Sequence, residues 1–223
     1  VTRRTVTRDE GRTEVLTRAA TAIAEHGYHG MTMRDLAKAT GRSLASFYHL
    51  FSSKEEILFE LQQRAFQHLL SSAEAVLAAP GDPVDRLHRF ISSHVHYVVE
   101  QSDVMRVLVQ EASALPPKRR SVIRDLKQRY FATGEALLGE VVKRGGKRKP
   151  TAVELEREAY CLFGMLNWSF GWYTAARHGT PDDLARTILE MTVWGASGLS
   201  RTRSLETPDL QLLRTPLLQA QGE

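Results

Sequence analysis

Between residues 32 and 54 the chain sets out short hydrogen-bonding and cationic side chains close together: Thr32, Arg34, Arg42, Ser43, Ser46, Tyr48, His49 and Lys54. Hydroxyl, imidazole, guanidinium and ammonium groups of this kind bond to phosphate oxygens and to base edges. Ala45 lies among them and adds no bulk, which permits close approach. This is the chemistry of recognising a polyanion, not of breaking bonds. Nowhere does the sequence offer a phosphate-binding glycine loop, a placed Ser/His/Asp or Cys/His set, or paired catalytic carboxylates. An all-helical enzyme or ligand carrier without a DNA role is therefore the weaker alternative, and no enzyme is expected. His94 and His96 are two residues apart, on roughly opposite faces of a helix, unlike the i, i+4 pair of a helical zinc site. No metal and no cofactor are expected.

The elements that must hold the first set are legible nearby. Residues 32–51, TMRDLAKATGRSLASFYHLF, have the layout of a helix-turn-helix. Met33, Leu36 and Ala37 face inward on a capped helix, Gly41 makes a tight turn, and a second short helix starts at Ser43. In such a unit the second helix lies in the major groove. Leu44, Phe47 and Phe51 are spaced to face the supporting helices, which leaves Ala45, Ser46, Tyr48 and His49 on or near the open face.

Helix signals continue along the chain. Thr32–Asp35, Ser53–Glu56 and Thr151–Glu154 put a hydroxyl three positions before an acid, so the pair can satisfy orphan N–H groups. Asp82 and Thr180 each precede a proline, a capping residue before the first helical position. Gly27, Gly41, Pro80-Gly81, Pro116-Pro117 and Gly145-Gly146 mark stops. No stretch alternates as a strand would. These boundaries predict about nine helices, near 12–26, 33–40, 43–50, 54–79, 83–100, 103–114, 117–145, 151–178 and 181–202. The fold class is all-α, a small front module on a larger helical body.

Composition agrees. The chain has 223 residues, 42% hydrophobic and 25% charged, ample for a buried core. The lone cysteine, Cys161, excludes an intramolecular disulfide and fits a reducing compartment. Residues 1–54 carry nine basic and five acidic side chains, the whole of the formal excess of +4. The charge thus marks the front module as the part that meets a polyanion. Arg3, Arg4 and Arg8 form a basic arm, read either as a minor-groove or phosphate clamp or as a solvated tail. No signal-peptide stretch follows the N-terminal residues, and the apolar window Ala159–Ala176 is interrupted by Asn167, Ser169 and Thr174. A buried or interface helix, no membrane and a cytoplasmic location are expected.

Residues 12–58 resemble the N-terminal domain of TetR-family transcriptional repressors. The resemblance rests on Arg12, Leu16–Ala20, Gly27-Tyr28, Met31-Thr32, Asp35-Leu36-Ala37, Gly41, Ser43, Phe47-Tyr48, Phe51 and Ser53-Lys54-Glu55-Glu56, at ungapped spacing. It implies phosphate contacts from Tyr48 and Lys54 and base reading by the variable residues of the second helix. The sequence departs from the family pattern at Thr40, Arg42, Ala45 and Leu50, with His49 one place early. Arg42 either contacts phosphate or lays its stem along apolar surface, with Leu44 supplying the apolar contact.

The resemblance divides the chain into a flexible basic arm (1–11), a three-helix DNA-binding domain (12–58), a six-helix ligand-binding and dimerisation domain (59–203) and a tail (204–223). It implies a homodimer on a pseudo-palindromic double-stranded operator. The last two long helices would pack against their copies, with Tyr160, Phe163, Leu184, Ile188 and Met191 divided between core and interface. Residues 163–185, with Asn167-Trp168 and Trp172-Tyr173, are similar to a stretch of family members that respond to acyl-CoA or related lipids. The expected effector is small and hydrophobic, acyl-CoA or lipid-derived, against the alternative of aromatic or cationic drug-like molecules. Candidate pocket residues are His94, Met105, Gln110, Asn167, Trp168 and Trp172. The basic clusters at 118–129 and 143–149 either receive a CoA phosphate or are solvated surfaces.

Overall fold

The computed structural model describes residues 8–111, 113–144 and 150–196. Arg3 and Arg4 of the arm, Lys147–Lys149, residues 197–202 of the last expected helix and the 204–223 tail lie outside the described residues. Within them the chain forms ten helices: α1 (Arg8–His26), α2 (Met33–Ala39), α3 (Leu44–Leu50), α4 (Lys54–Ala78), α5 (Pro83–Glu100), α6 (Ser102–Gln110), α7 (Pro117–Arg144), α8 (Ala152–Trp168), α9 (Ala175–His178) and α10 (Pro181–Ala196). No strand occurs among the described residues.

The starts follow from side-chain chemistry. Thr32 with Asp35 and Thr151 with Glu154 form complete capping boxes, and Ser53 accepts the Glu56 N–H. Asp82 accepts the Val84 N–H ahead of Pro83. Three expected bounds change. The first helix begins at Arg8 rather than at 12, and α6 ends at Gln110 rather than at 114. The helix expected over 151–178 is broken: Ser169, fully buried, donates its hydroxyl to the Leu166 carbonyl at 2.7 Å, and a 3-10 turn spans Ser169–Gly171. Thr174 is extended before the short α9. A serine bonding back to its own helix competes with the backbone ladder, and apolar periodicity does not register that competition.

Packing joins both halves. The buried side chains form one contiguous cluster from Val15 to Ile188. Helix α4 carries Ile57, Leu58, Leu61, Ala65, Phe66, Leu69, Leu70 and Ala73 along one buried stripe. It packs against α1 near the front and against α5 and α7 behind. In the front module Ile23, Leu36, Phe47 and Phe51 are fully buried beside Ile57 and Leu58. Gly41 has φ +71, so it turns the chain between α2 and α3 where an L side chain would be strained. Thr40 replaces the family's small residue without an orphan group, since its buried hydroxyl donates to the Ala37 carbonyl at 3.0 Å.

One side chain ties the module to α4. The Arg12 guanidinium donates to both Glu60 carboxylate oxygens, to Glu56 and to the carbonyl of Leu50, the last residue of α3. Its Cζ lies 4.2 Å from the centroid of the Phe51 ring. Glu56 also accepts the Ser52 N–H and hydroxyl at 2.7 and 2.6 Å. Burial works to raise the Glu56 pKa, but the hydrogen bonds from Ser52 and Arg12 outweigh it and hold the carboxyl below its ordinary value. Replacing Arg12 with Ala is expected to lower stability by about 2 kcal/mol, since its charge-assisted bonds to Glu56, Glu60 and the Leu50 carbonyl are lost. Arg12→Lys should recover little of this, because an ammonium cannot reproduce the planar fork. Urea denaturation of the two variants checks both statements.

Candidate nucleic-acid interface and internal cavity

Helices α2 and α3 present the polar set on one side of the module. Thr32, Arg34, Lys38, Ala39, Gly41, Ser43, Ala45, Tyr48 and His49 are exposed, while Arg42 and Ser46 are half-buried. Tyr48 keeps 52% of its surface accessible, high for an aromatic side chain with no core role. Among the described residues Arg34, Lys38 and Arg42 make no ion pair, so their charges are uncommitted. Ser43 spends its acceptor on the Ser46 N–H, leaving its hydroxyl proton for an outside oxygen. Thr32 is already engaged with Asp35 in the capping box. Leu44 and Leu50 are partly buried and pack against the core.

Lys54 is placed differently from the others. Its Nζ donates to the carbonyls of Tyr28 and Met31, each at 2.8 Å, and lies 4.4 Å from the Tyr28 ring centroid. It therefore pins the α1–α2 loop to the start of α4 and has one N–H left. Three of the six basic residues at 118–129 are paired: Arg119 with Glu55 at 3.1 Å, Arg124 with Asp125 at 3.8 Å and Arg129 with Glu74 at 2.7 Å. These belong to the solvated-surface reading of that cluster.

A cavity of about 290 Å3 lies between α4, α5, α6, α7 and α8. Phe66, Leu69, Met105, Leu108 and Phe163 make its buried apolar wall, and exposed Val109, Lys127 and Tyr160 mark its open side. Gly134 makes the wall possible: a Cβ there would come within 2.8 Å of Phe163 and 3.0 Å of Phe90. His94 and Tyr130 supply the buried polar pair, with Nδ1 2.7 Å from the phenol oxygen and the rings stacked. Among the described residues, His94 Nε2 is buried without a partner. Burial depresses the His94 pKa to about 4 and raises that of Tyr130, so the pair is neutral.

Of the expected pocket residues, His94, Met105 and Asn167 line this cavity. Gln110, Trp168 and Trp172 do not; all three are exposed, the last two at 64% and 45%. Sequence reading missed Tyr130 and Phe131, whose only signal was their spacing with Lys127 on one face of a long helix; Lys127 belongs to the basic cluster at 118–129, read as either a receiver of a CoA phosphate or a solvated surface. The expected interface set divides as well. Phe163, Leu184 and Ile188 are buried within the chain, at 6%, 8% and 3% exposure, and Tyr160 and Met191 are open. Periodicity groups residues on a face but does not say whether that face meets the chain's own α5 or another molecule.

The cavity and the front module share a wall. Helix α6 carries Met105, Leu108 and Val109 into the cavity and packs along α1. At its end Glu111 accepts the Tyr28 N–H at 3.0 Å, and its carbonyl accepts from Gln62 at 3.1 Å. Near its start Asp103 accepts the Thr21 hydroxyl at 2.7 Å.

Residues 15–61 match the family described as bacterial regulatory proteins, tetR family, and residues 80–196 match the tetracyclin repressor-like C-terminal domain. The HTH-type transcriptional repressor KstR2 of Rhodococcus jostii (strain RHA1) is 26% identical over 186 residues, covering 82% of this chain and 90% of the relative. The crystal structure of the TetR family transcriptional regulator PfmR from Thermus thermophilus superposes with a TM-score of 0.72 at 30% identity, over 84% of this chain and 99% of that one. AibR, solved in complex with isovaleryl coenzyme A and operator DNA, shares the fold at a TM-score of 0.71 and 22% identity, over 82% and 97% of the two chains.

The His94 pKa has a consequence for stability. Its folded value of about 4 lies below the ordinary 6.5, so between those values the unfolded chain binds more protons. The contribution, about 3 kcal/mol at most, is complete above pH 6.5 and is lost as pH falls toward 4. Urea denaturation between pH 7 and 5 should show stability falling over this window, and His94→Gln should flatten that slope.

Proposed function

Because the chain belongs to the TetR family of bacterial transcriptional regulators, we propose that it represses transcription as a dimer and is released from its operator by a small apolar effector. The observation that carries this reading is the uncommitted polar face of α2 and α3, linked through α6 to an internal apolar cavity. Ser43, Ala45, Ser46, Tyr48 and His49 enter the major groove, with Ser46 and His49 at base edges. Arg34, Arg42 and Tyr48 contact phosphates, and Lys54 adds its remaining donor while holding the loop behind them. Thr32 acts through the capping box that starts α2.

The effector is acyl-CoA or lipid-derived. In support, the cavity wall is apolar and aromatic, its volume lies at the small end of ligand pockets, and Lys127 stands at its open side, where an anionic carrier would emerge. The structure of AibR with isovaleryl coenzyme A supports the same class by likeness of fold. Occupying the cavity displaces α6 and, through Glu111 and Asp103, tilts α1 and the reading helices. DNA and effector then compete through a coupling free energy.

The dimer forms through the open face of α8 and α10. Cys161, Gly164 and Trp168 follow one stripe of α8, Met191 is 60% exposed on α10, and a Cβ at Gly164 would meet nothing within 4 Å. Apolar surface of this extent on two adjacent helices fits a four-helix interface with a second copy. A cytoplasmic location follows from the regulator reading; no helix among the described residues is long and apolar enough to cross a membrane.

Gel-shift titration with the DNA upstream of its own gene tests the assignment. Arg34→Ala and Arg42→Ala should each weaken binding across sequences and reduce the salt slope by about 1, whereas Ser46→Ala and His49→Ala should alter sequence preference. Absence of binding at low salt overturns the reading. For the dimer, Gly164→Arg should shift the mass measured by light scattering to that of a monomer and weaken operator binding with it.

A further inference from the structure

We infer that His94, held by Tyr130, is a hydrogen-bond donor that reads an acceptor oxygen on the effector. The inference rests on the cavity being the effector site and adds the polarity of the atom recognised there. The geometry is a buried pair with one unpaired nitrogen. Tyr130 keeps its phenol proton, and among the described residues its oxygen has one hydrogen-bond partner, His94 Nδ1 at 2.7 Å. If the phenol donates to Nδ1, the neutral imidazole carries its own proton on Nε2, and a single buried group is left over. The opposite arrangement strands both the phenol proton and Nε2. Two buried orphans cost more than one, so the Nε2–H tautomer is favoured.

His94 is 1% exposed and lines the cavity, and Nε2 has no protein partner. A buried donor of this kind is completed by a ligand acceptor. The ligand it fits is an apolar chain bearing a carbonyl-type oxygen, as in a ketone, an ester or a thioester. A cationic amine fits poorly: it offers no lone pair to Nε2–H, and Lys127 adds like charge at the opening. The pair thereby separates acyl-type effectors from cationic drug-like ones, which an apolar wall alone does not do.

Two measurements on the full chain test this. In protein labelled with 15N-histidine, the imidazole spectrum at neutral pH should report His94 protonated at Nε2; protonation at Nδ1 overturns the inference without any variant. By titration calorimetry, 2-octanone should bind wild-type protein about tenfold or more tightly than n-octylamine, and His94→Phe should remove about tenfold of the ketone affinity. Equal binding of the two probes, or ketone affinity unchanged in a folded His94→Phe, overturns it. Should His94→Phe fail to fold, the wild-type comparison and the spectrum decide. If neither probe binds nor releases operator DNA, the cavity is not the effector site, and the failure lies with the functional reading beneath.

Discussion

Everything this protein does with DNA depends on the orientation of a small three-helix module, and that orientation rests on the fork of Arg12. Helices α2 and α3, seven residues each, enclose little apolar surface of their own. Arg12 solves this by joining α1, the C-terminal carbonyl of α3 and two acids of α4 through one planar group. Glu56 is shared between Arg12 and the Ser52 backbone, so the loop after α3 and the start of α4 are held by the same carboxylate. Lys54 fixes the other side of the module through the Tyr28 and Met31 carbonyls. The module is thereby clamped at two points.

In the proposed release by an effector, a clamped module makes signalling a matter of leverage. Helices α4 and α6 both line the cavity and both pack on α1, α6 more extensively. Helix α6 is short, ends in a non-helical Glu111, buries Val104, Met105, Val107 and Leu108, and is held at both ends by polar contacts. Helices α4 and α7 are 25 and 28 residues long and pack against each other. The cavity wall is also finely balanced: Gly134 leaves only enough room for the Phe163 and Phe90 rings.

Much of this was legible in local chemistry. The capping pairs at Thr32, Ser53 and Thr151 mark the starts of α2, α4 and α8, and Gly41 marks the turn that aims α3. Each of these signals acts within four residues, so a sequence displays it directly. Ser169 was harder to read. Its break depends on burial, which commits the hydroxyl to Leu166 rather than to water. Phe163 and Ile188 were read as core or interface for a related reason, because an apolar stripe does not name the surface that covers it.

By itself, then, the sequence determined the all-helical class, the helix starts, the turn of the reading unit and the concentration of positive charge at its front. Those features follow from neighbours along the chain. Tertiary structure alone decided that Lys54 closes a loop, that Gln110, Trp168 and Trp172 stay outside the cavity, and that His94 meets Tyr130 across α5 and α7. The residues in those contacts lie up to 36 positions apart along the chain, and each contact depends on the angle at which two helices cross. That angle is set by the packing of whole faces, and no local spacing encodes it.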